Sequence, residues 1–404
     1  MLKRGMSRRG FLAASSASAA IANPGLAAAQ AVGVKPADLP DLTISEVRVY
    51  QLDLSRAGGS GHERLAGIVT KSGIEGNYTL GERYWHPNWS NLGWLEYAKP
   101  ALIGKSVLDL PALTSQWKPE LRRLGQLSYA SAIDNCLWDV LGKAVNLPVY
   151  RILGAYRDKV KGYASSQHHA GIEDFVNEVR QVKEQGFPAY KIHPPSPNDG
   201  HDYELDIEVA KAVRKAAGDE FTLLFDPVGV YTRAEAFRVG RVLQELDYIC
   251  YEDPIPTSDI DGLVQLNQAL DIPIHIGEFI FSPYNYAEYI RRGAMDVVRF
   301  IVDNVGGISG GMKVARLAEL FGMECAPHNW GNGFDHAVHF HCELAMPNNV
   351  WFEMTVPQGS SDRPYVKERF RVASDGYVHA LPGPGLGLEL DRAVLEKLTV
   401  KVER

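Results

Sequence analysis

The chain is poor in cysteine. Four occur in 404 residues, Cys136, Cys250, Cys325 and Cys342, and no two stand in C-x-x-C spacing. That argues against zinc ribbons and dithiol redox chemistry, and buried thiols are the default in such apolar or helical contexts. No run of 18 or more apolar residues is present, so no membrane span is predicted. Positive charge is not in excess: 42 Lys and Arg stand against 49 Asp and Glu, a net charge of −7. This mildly acidic balance argues against nucleic-acid binding. No internal duplication into two similar lobes is visible, which disfavours a hinged solute-binding protein. What remains is ordinary globular composition, 45% hydrophobic and 23% charged, long enough for one large domain and a smaller one.

The first 31 residues read as a separate object. Ser7-Arg8-Arg9-Gly10-Phe11-Leu12 precedes a short, weakly apolar run, Ala13 to Ala22, and Ala29-Gln30-Ala31 offers a small-residue cleavage site. Paired arginines in the charged region predict a twin-arginine signal, export to the periplasm, and removal of residues 1–31. The signal holds no cysteine, so no membrane anchor is expected after cleavage.

The chemistry gathers between Phe225 and His328. Phe221-Thr222-Leu223-Leu224-Phe225 runs into Asp226. Glu252 follows Tyr248-Ile249-Cys250-Tyr251, and Glu278 follows Ile274-His275-Ile276-Gly277. Asp303 follows Val297 to Val302, and His328 follows Met323 to Pro327. Each polar residue ends a short strand-like run, and helical patterns such as Thr232 to Leu246 and Gly310 to Phe321 lie between the runs. Recurrence at about 25 to 30 residues is the length of a strand, loop and helix in a parallel α/β barrel. Strand C-termini converge on one barrel mouth, so all five side chains should face a common pocket. A lone strand-end carboxylate is commonly a helix cap or surface charge. Five polar ends at near-constant spacing are not explained that way.

Asp226, Glu252 and Glu278 on adjacent strands would repel one another unless a cation sat between them. An all-oxygen set favours a hard ion, and Mg2+ is the usual choice when water and substrate complete its shell. Asp303 and His328 fall on the next two strands, within reach of each other. A carboxylate that orients an imidazole makes a competent general base. Upstream, Lys191 and His193 alternate with Ile192 on a predicted strand 189–193, so both should point inward. A charge inside a barrel needs a partner, which ties Lys191 to the site.

Residues 42–155 read as an α+β cap. Ile44, Val47, Val49 and Leu52 alternate as in a strand, and Lys71-Ser72-Gly73 reads as a hairpin turn. Helical patterns follow near 91–102, 109–122 and 128–145. A loop at about 82–94 carries Tyr84, Trp85, His86, Trp89 and Trp94, aromatics that can stack on a substrate or pack on the cap helices. Arg56 and His62 flank a glycine-rich loop at 55–62 and could touch the far end of a substrate. The barrel is placed at 156–362, and residues 363–404 are expected to return to the cap.

These motifs resemble the enolase superfamily, mandelate racemase/muconate lactonizing enzyme-like, in its mandelate racemase subgroup. The resemblance spans residue 42 to the C-terminus. It implies a modified TIM (β/α)7β barrel with an α+β capping domain whose two loops set substrate choice. It implies Asp226, Glu252 and Glu278 as Mg2+ ligands, Asp303 with His328 as a dyad, and Glu353, in Trp351-Phe352-Glu353-Met354, as the acidic residue of the eighth strand. Lys191 matches the first lysine of a Lys-x-Lys motif, the one that contacts the substrate carboxylate. His193 stands where the second lysine, a base, would be, and so departs from the pattern. The implied reaction is removal of the proton next to a carboxylate to give an ene-diolate, then loss of water from a sugar acid, aldonate or aldarate. The alternative is a racemase or epimerase using His328 and Lys191 or His193 as opposed bases. Cycloisomerisation of the muconate type fits less well, because that group has a lysine where Asp303 and His328 stand. The expected partner is a small-molecule carboxylate, and a homo-oligomer is expected from the family.

Overall fold

A computed structural model describes residues 38–80, 91–115, 127–195 and 200–404. The cap sheet begins with β1 (Ile44–Asp53), β2 (His62–Thr70) and β3 (Glu75–Thr79), paired antiparallel in that order. Ile44, Val47, Val49 and Leu52 of β1 are buried, and their alternation puts one face of the sheet on the core. Residues 71–74 turn the hairpin, with Gly73 at φ +83°. The helix Leu127–Ala144 crosses this sheet. It comes so close at Gly76 that a Cβ there would lie 2.1 Å from the Cys136 carbonyl oxygen, so only glycine fits. Asp139 of the helix accepts from the Asn77 amide at 2.9 Å, and Lys143 donates to the Glu75 carbonyl at 2.8 Å. These bonds satisfy an edge of β3 that would otherwise be buried unpaired.

The second sheet is the barrel: β4 (Lys159–Ser165), β5 (Ala189–Ile192), β6 (Thr222–Phe225), β7 (Cys250–Glu252), β8 (Ile274–Ile276), β9 (Val297–Val298), β10 (Glu324–Cys325) and β11 (Trp351–Thr355). Each strand pairs parallel with the next from β4 to β10, and β11 pairs parallel with β4. Between β10 and β11 the Cys325 amide donates to the Asn348 carbonyl at 2.8 Å, and Asn349 Nδ2 donates to the Cys325 carbonyl at 3.2 Å. Helices connect the strands on the outside. The helix Ile172–Glu184 buries Phe175, Val176, Val179 and Val182, one stripe of a 3.6-residue period. The helix Arg233–Glu245 starts with a capping box between Thr232 and Glu235.

The C-terminal stretch serves both bodies. Its β12 (Tyr377–His379) pairs antiparallel with the start of β4, on the barrel. Its β13 (Thr399–Glu403) pairs antiparallel with β1, on the cap. Arg363 and Tyr365 both reach Glu63 of β2, at 3.1 and 2.8 Å. The expected return to the cap therefore includes an additional strand on the barrel. All four cysteines are buried and free. Among the described residues no helix is long and apolar enough to cross a membrane.

Candidate active site

Alternation along the short barrel strands stacks the interior in layers. The lowest layer is largely apolar: Tyr163, Ala189, Leu224 and Cys250 form a small separate cluster. One step up lie Lys191, Glu252, Arg299 and Glu353, each with at most 1% of its surface exposed. At the mouth come His193, Asp226, Glu278 and His328, all buried.

The middle layer is a closed ring of four charges. Lys191 Nζ lies 2.9 Å from Glu252 Oε2 and 2.7 Å from Glu353 Oε1. Arg299 Nε lies 2.6 Å from Glu252 Oε1, and its Nη2 2.9 Å from Glu353 Oε2. Each carboxylate thus offers one oxygen to each cation. Burial alone would lower the Lys191 and Arg299 pKa values, but Glu252 and Glu353 outweigh it and both stay well above their ordinary range. Burial would likewise raise Glu353, yet Lys191, His328 and Arg299 hold it well below the carboxylate range. Ser165 Oγ and the Asn329 amide complete its shell at 2.8 and 2.9 Å.

Above the ring, Asp226 Oδ2 is held by Lys191 Nζ at 3.2 Å and His193 Nε2 at 3.1 Å, and Oδ1 accepts from the Val228 amide at 2.9 Å. Burial opposes its ionisation, but Lys191 and His193 prevail and lower its pKa. His193 Nδ1 lies 2.8 Å from the Ser166 carbonyl oxygen, so both ring nitrogens are engaged. Glu278 is placed by Gly277, at φ +147°, where a Cβ would lie 1.9 Å from the Arg299 carbonyl oxygen. Burial pushes the Glu278 carboxyl above its ordinary value; His328 counters this, while Asp226 and Glu252 add to it. His328 Nδ1 faces Glu278 Oε2 at 3.4 Å, Glu353 Oε2 at 3.6 Å and Glu252 Oε1 at 3.7 Å.

The donor set fits a divalent cation. Asp226, Glu252, Asp253, Glu278 and Glu353 are all buried here, against two fixed cations, Lys191 and Arg299. Both carboxylate oxygens of Asp253 lack a hydrogen-bond partner among the described residues, and burial with Glu278, Glu252 and Asp226 nearby pushes its pKa well up. Glu252, Glu278 and His328 each offer one ligand atom, all within 4.8 Å of one another. Asp226 lies outside that trio, drawn aside by Lys191 and His193.

One sequence expectation is corrected. Asp303, expected at the end of a strand, is placed otherwise. It does not end a strand: β9 stops at Val298, and Asp303 lies in the helical turn Val302–Val305. That turn carries it toward the cap, where Tyr78 donates its hydroxyl to Asp303 Oδ1 at 2.8 Å. Ser131 of the cap helix donates to the Asp303 carbonyl at 2.8 Å. Arg56 donates to the carbonyls of Lys397 and Thr399 at 3.4 and 3.3 Å. His62 is exposed at the start of β2. Trp94 is fully buried in the cap with its Nε1 on the Tyr129 carbonyl, so it packs rather than stacks on substrate. Tyr84, Trp85, His86 and Trp89 lie outside the described residues, as do residues 1–31.

Sequence reasoning missed Arg299 and Trp330. Arg299 had a signal: a lone cation within Val297-Val298-Arg299-Phe300, an apolar strand-like run.

Residues 174–394, more than half of the chain, match the family described as enolase C-terminal domain-like. The chain belongs to the enolase superfamily. It is an enzyme with relatives named for sugar-acid chemistry. Arabinonate dehydratase of Saccharolobus solfataricus is 29% identical over 310 residues, 75% of this chain and 82% of that protein. D-xylonate dehydratase of Haloferax volcanii is 27% identical over 384 residues, 90% of each chain. Among solved structures, D-glucarate dehydratase from Agrobacterium tumefaciens, complexed with magnesium, superposes with a TM-score of 0.79 at 27% identity. That match covers 90% of this chain and 100% of the other.

Proposed function

We propose that this enzyme is a Mg2+-dependent sugar-acid dehydratase that converts an aldonate or aldarate to a 2-keto-3-deoxy acid. The observation that carries the reading is the convergence of Asp226, Glu278 and His328 at the barrel mouth over Lys191 and Glu252 of the ring below, on the scaffold of named dehydratases. Asp226, Glu252 and Glu278 would hold the ion. When bound, Mg2+ would supply a Lewis acid that stabilises negative charge on the substrate carboxylate. Lys191, fixed as an ammonium, adds a second positive charge next to that carboxylate. His328 takes the proton from carbon 2, with Glu278 Oε2 and Glu353 Oε2 facing its Nδ1 at 3.4 and 3.6 Å. The imidazolium so formed then donates its proton to the departing 3-hydroxyl. The products are an enol, which tautomerises to the 2-keto acid, and water.

The geometry disfavours the opposed-base racemase. Lys191 sits among three carboxylates and keeps its proton, and neither nitrogen of His193 is free to accept one from carbon. The test is NMR and mass spectrometry of residues 32–404 with Mg2+ in deuterated water against a panel of sugar acids. Loss of water, abolished by His328→Asn, is expected. Deuterium uptake at carbon 2 without loss of water would make the enzyme a racemase or epimerase. Export by the twin-arginine route is part of the proposal. It requires that residues 1–31, fused to a folded reporter, deliver it to the periplasm, and that replacing Arg8 and Arg9 by lysine stop delivery.

A further inference from the structure

Three rings stand together at the mouth, around His193. His193 and Trp330 are 4.3 Å apart by ring centroids, inclined at 40°. His168 lies 5.4 Å from His193 and is nearly parallel to Trp330, at 6.2 Å and 26°. His168 comes from the loop after β4, His193 from the end of β5, and Trp330 follows His328 by two residues. His193 turns to the floor, onto Asp226 and the Ser166 carbonyl. Trp330 is half-buried and His168 exposed, so these two form the outer part of the shelf.

The polarity of this shelf follows from one hydrogen bond. His168 Nδ1 lies 2.7 Å from the Pro194 carbonyl oxygen. A carbonyl only accepts, so Nδ1 carries the proton, and Nε2 of the neutral ring presents a lone pair. Although the ring is open to solvent on one side, its partial enclosure and the neighbouring His193 lower the His168 pKa from its ordinary value, which favours the neutral ring. An indole face takes up C–H groups, and an imidazole lone pair accepts from a hydroxyl. Neither binds an anion. The inner end of the pocket is the opposite, with Lys191 and the proposed cation placed for a carboxylate.

We infer that His168 and Trp330 are specificity-determining residues that read the far end of the substrate as a neutral polyol chain, selecting monocarboxylic aldonates over dicarboxylic aldarates. This rests on the dehydratase reading and narrows its substrate class. The carbon chain lies along Trp330, and a distal hydroxyl donates to His168 Nε2. An aldarate would bring its second carboxylate against that lone pair, which offers it no donor.

The test uses matched pairs of C6 aldonates and aldarates of the same configuration, with the Mg2+-loaded enzyme. The aldonate should have at least about tenfold higher kcat/KM in the pair that turns over best. Trp330→Ala and His168→Asn should raise KM for that aldonate about tenfold and leave kcat within about threefold, because they touch the tail and not the reacting carbons. Asn keeps a donor for Pro194 but has no acceptor at the Nε2 position. His168→Lys puts an ammonium there and should move the aldarate-to-aldonate ratio toward the aldarate. Preference for the aldarate, or unchanged KM in both Trp330→Ala and His168→Asn, overturns the inference while the dehydratase reading stands. If no pair turns over, the dehydratase reading fails. Calorimetric binding of the same pairs to His328→Asn enzyme then decides the shelf by itself: equal or tighter binding of aldarates overturns it.

Discussion

Tyr78 of the cap donates its hydroxyl to the carboxylate of Asp303 on the barrel, at 2.8 Å. The bond joins β3 to the turn after β9, and Ser131 reinforces it from the cap helix. A charge-assisted bond of this kind contributes about 1.5–3 kcal/mol. Tyr78→Phe should lower stability by that amount in urea denaturation. Asp303→Asn keeps an acceptor for Tyr78, and the described residues give His328 carboxylate neighbours in Glu278, Glu353 and Glu252. Its kcat should therefore stay within about tenfold of wild type, while His328→Asn loses at least about 10²–10⁴-fold. Equal losses in the two variants would show that Asp303 works with His328 as a His/Asp dyad.

The ring of Lys191, Glu252, Arg299 and Glu353 leads to a second prediction. Replacing one cation leaves a fully buried carboxylate uncompensated, which typically costs about 3–5 kcal/mol. Arg299→Met should show this in chemical denaturation. Arg299→Lys should be intermediate, because an ammonium cannot bridge Glu252 and Glu353 with a planar fork. A Met variant as stable as wild type would mean the ring contributes nothing to folding.

How much of this was legible follows from what each residue's placement depends on. Asp226, Glu252, Glu278 and His328 depend on the strand-to-strand period, which the chain displays openly because every βα unit has nearly one length. Lys191 and His193 depend on alternation within one strand, and both are buried in the site as the pattern requires. Asp303 has the right spacing, but β9 is two residues long and the chain turns helical before reaching it. Spacing counts residues and cannot register where a strand stops. Arg299 appeared as one charge in an apolar run, and only its neighbours on β7 and β11 show that it points inward. Trp330 was hidden in a polar-aromatic loop, because a ring's role there depends on His168 and His193 from distant segments.

Asp134 provides a pH dependence far from the chemistry. It is buried where the cap helix Leu127–Ala144 meets the barrel helix Gly307–Leu320, and its Oδ2 accepts from the Ser309 amide at 2.8 Å. Burial pushes its pKa up to about 7 from the ordinary 3.8, with Ser309 offsetting only part. The folded state therefore holds this proton more tightly than the unfolded chain. The stabilisation is complete below pH 4 and is lost as pH rises through about 7. Asp134→Asn keeps the acceptor for Ser309 and never ionises. Between pH 5 and pH 8 wild type should lose stability relative to the variant by a few kcal/mol, at about 1.4 kcal/mol per unit of pKa shift. Parallel stability curves across that range would show that Asp134 titrates normally.

Metal loading should be visible without any substrate. The mouth and the ring below it hold Asp226, Glu278, Glu252 and Glu353 against two fixed cations, with Asp253 buried next to Glu252, and burial with like charge keeps Glu278 and Asp253 above their ordinary pKa values. A cation that binds the folded chain relieves this and stabilises by mass action, about 2.7 kcal/mol at a free concentration 100 times its Kd. Chelator-treated protein should therefore melt at lower temperature than protein with Mg2+, and added Mg2+ should restore the difference in a concentration-dependent way. Glu278→Gln removes one charge from the mouth, so its apo form should be no less stable than wild type and its response to Mg2+ much smaller. Glu353→Gln lies in the ring below, where Lys191 and Arg299 already neutralise it, and should lose stability while keeping most of the Mg2+ response. If both variants respond to Mg2+ like wild type, the ion binds elsewhere, and Glu278 is an unpaired acid with another purpose.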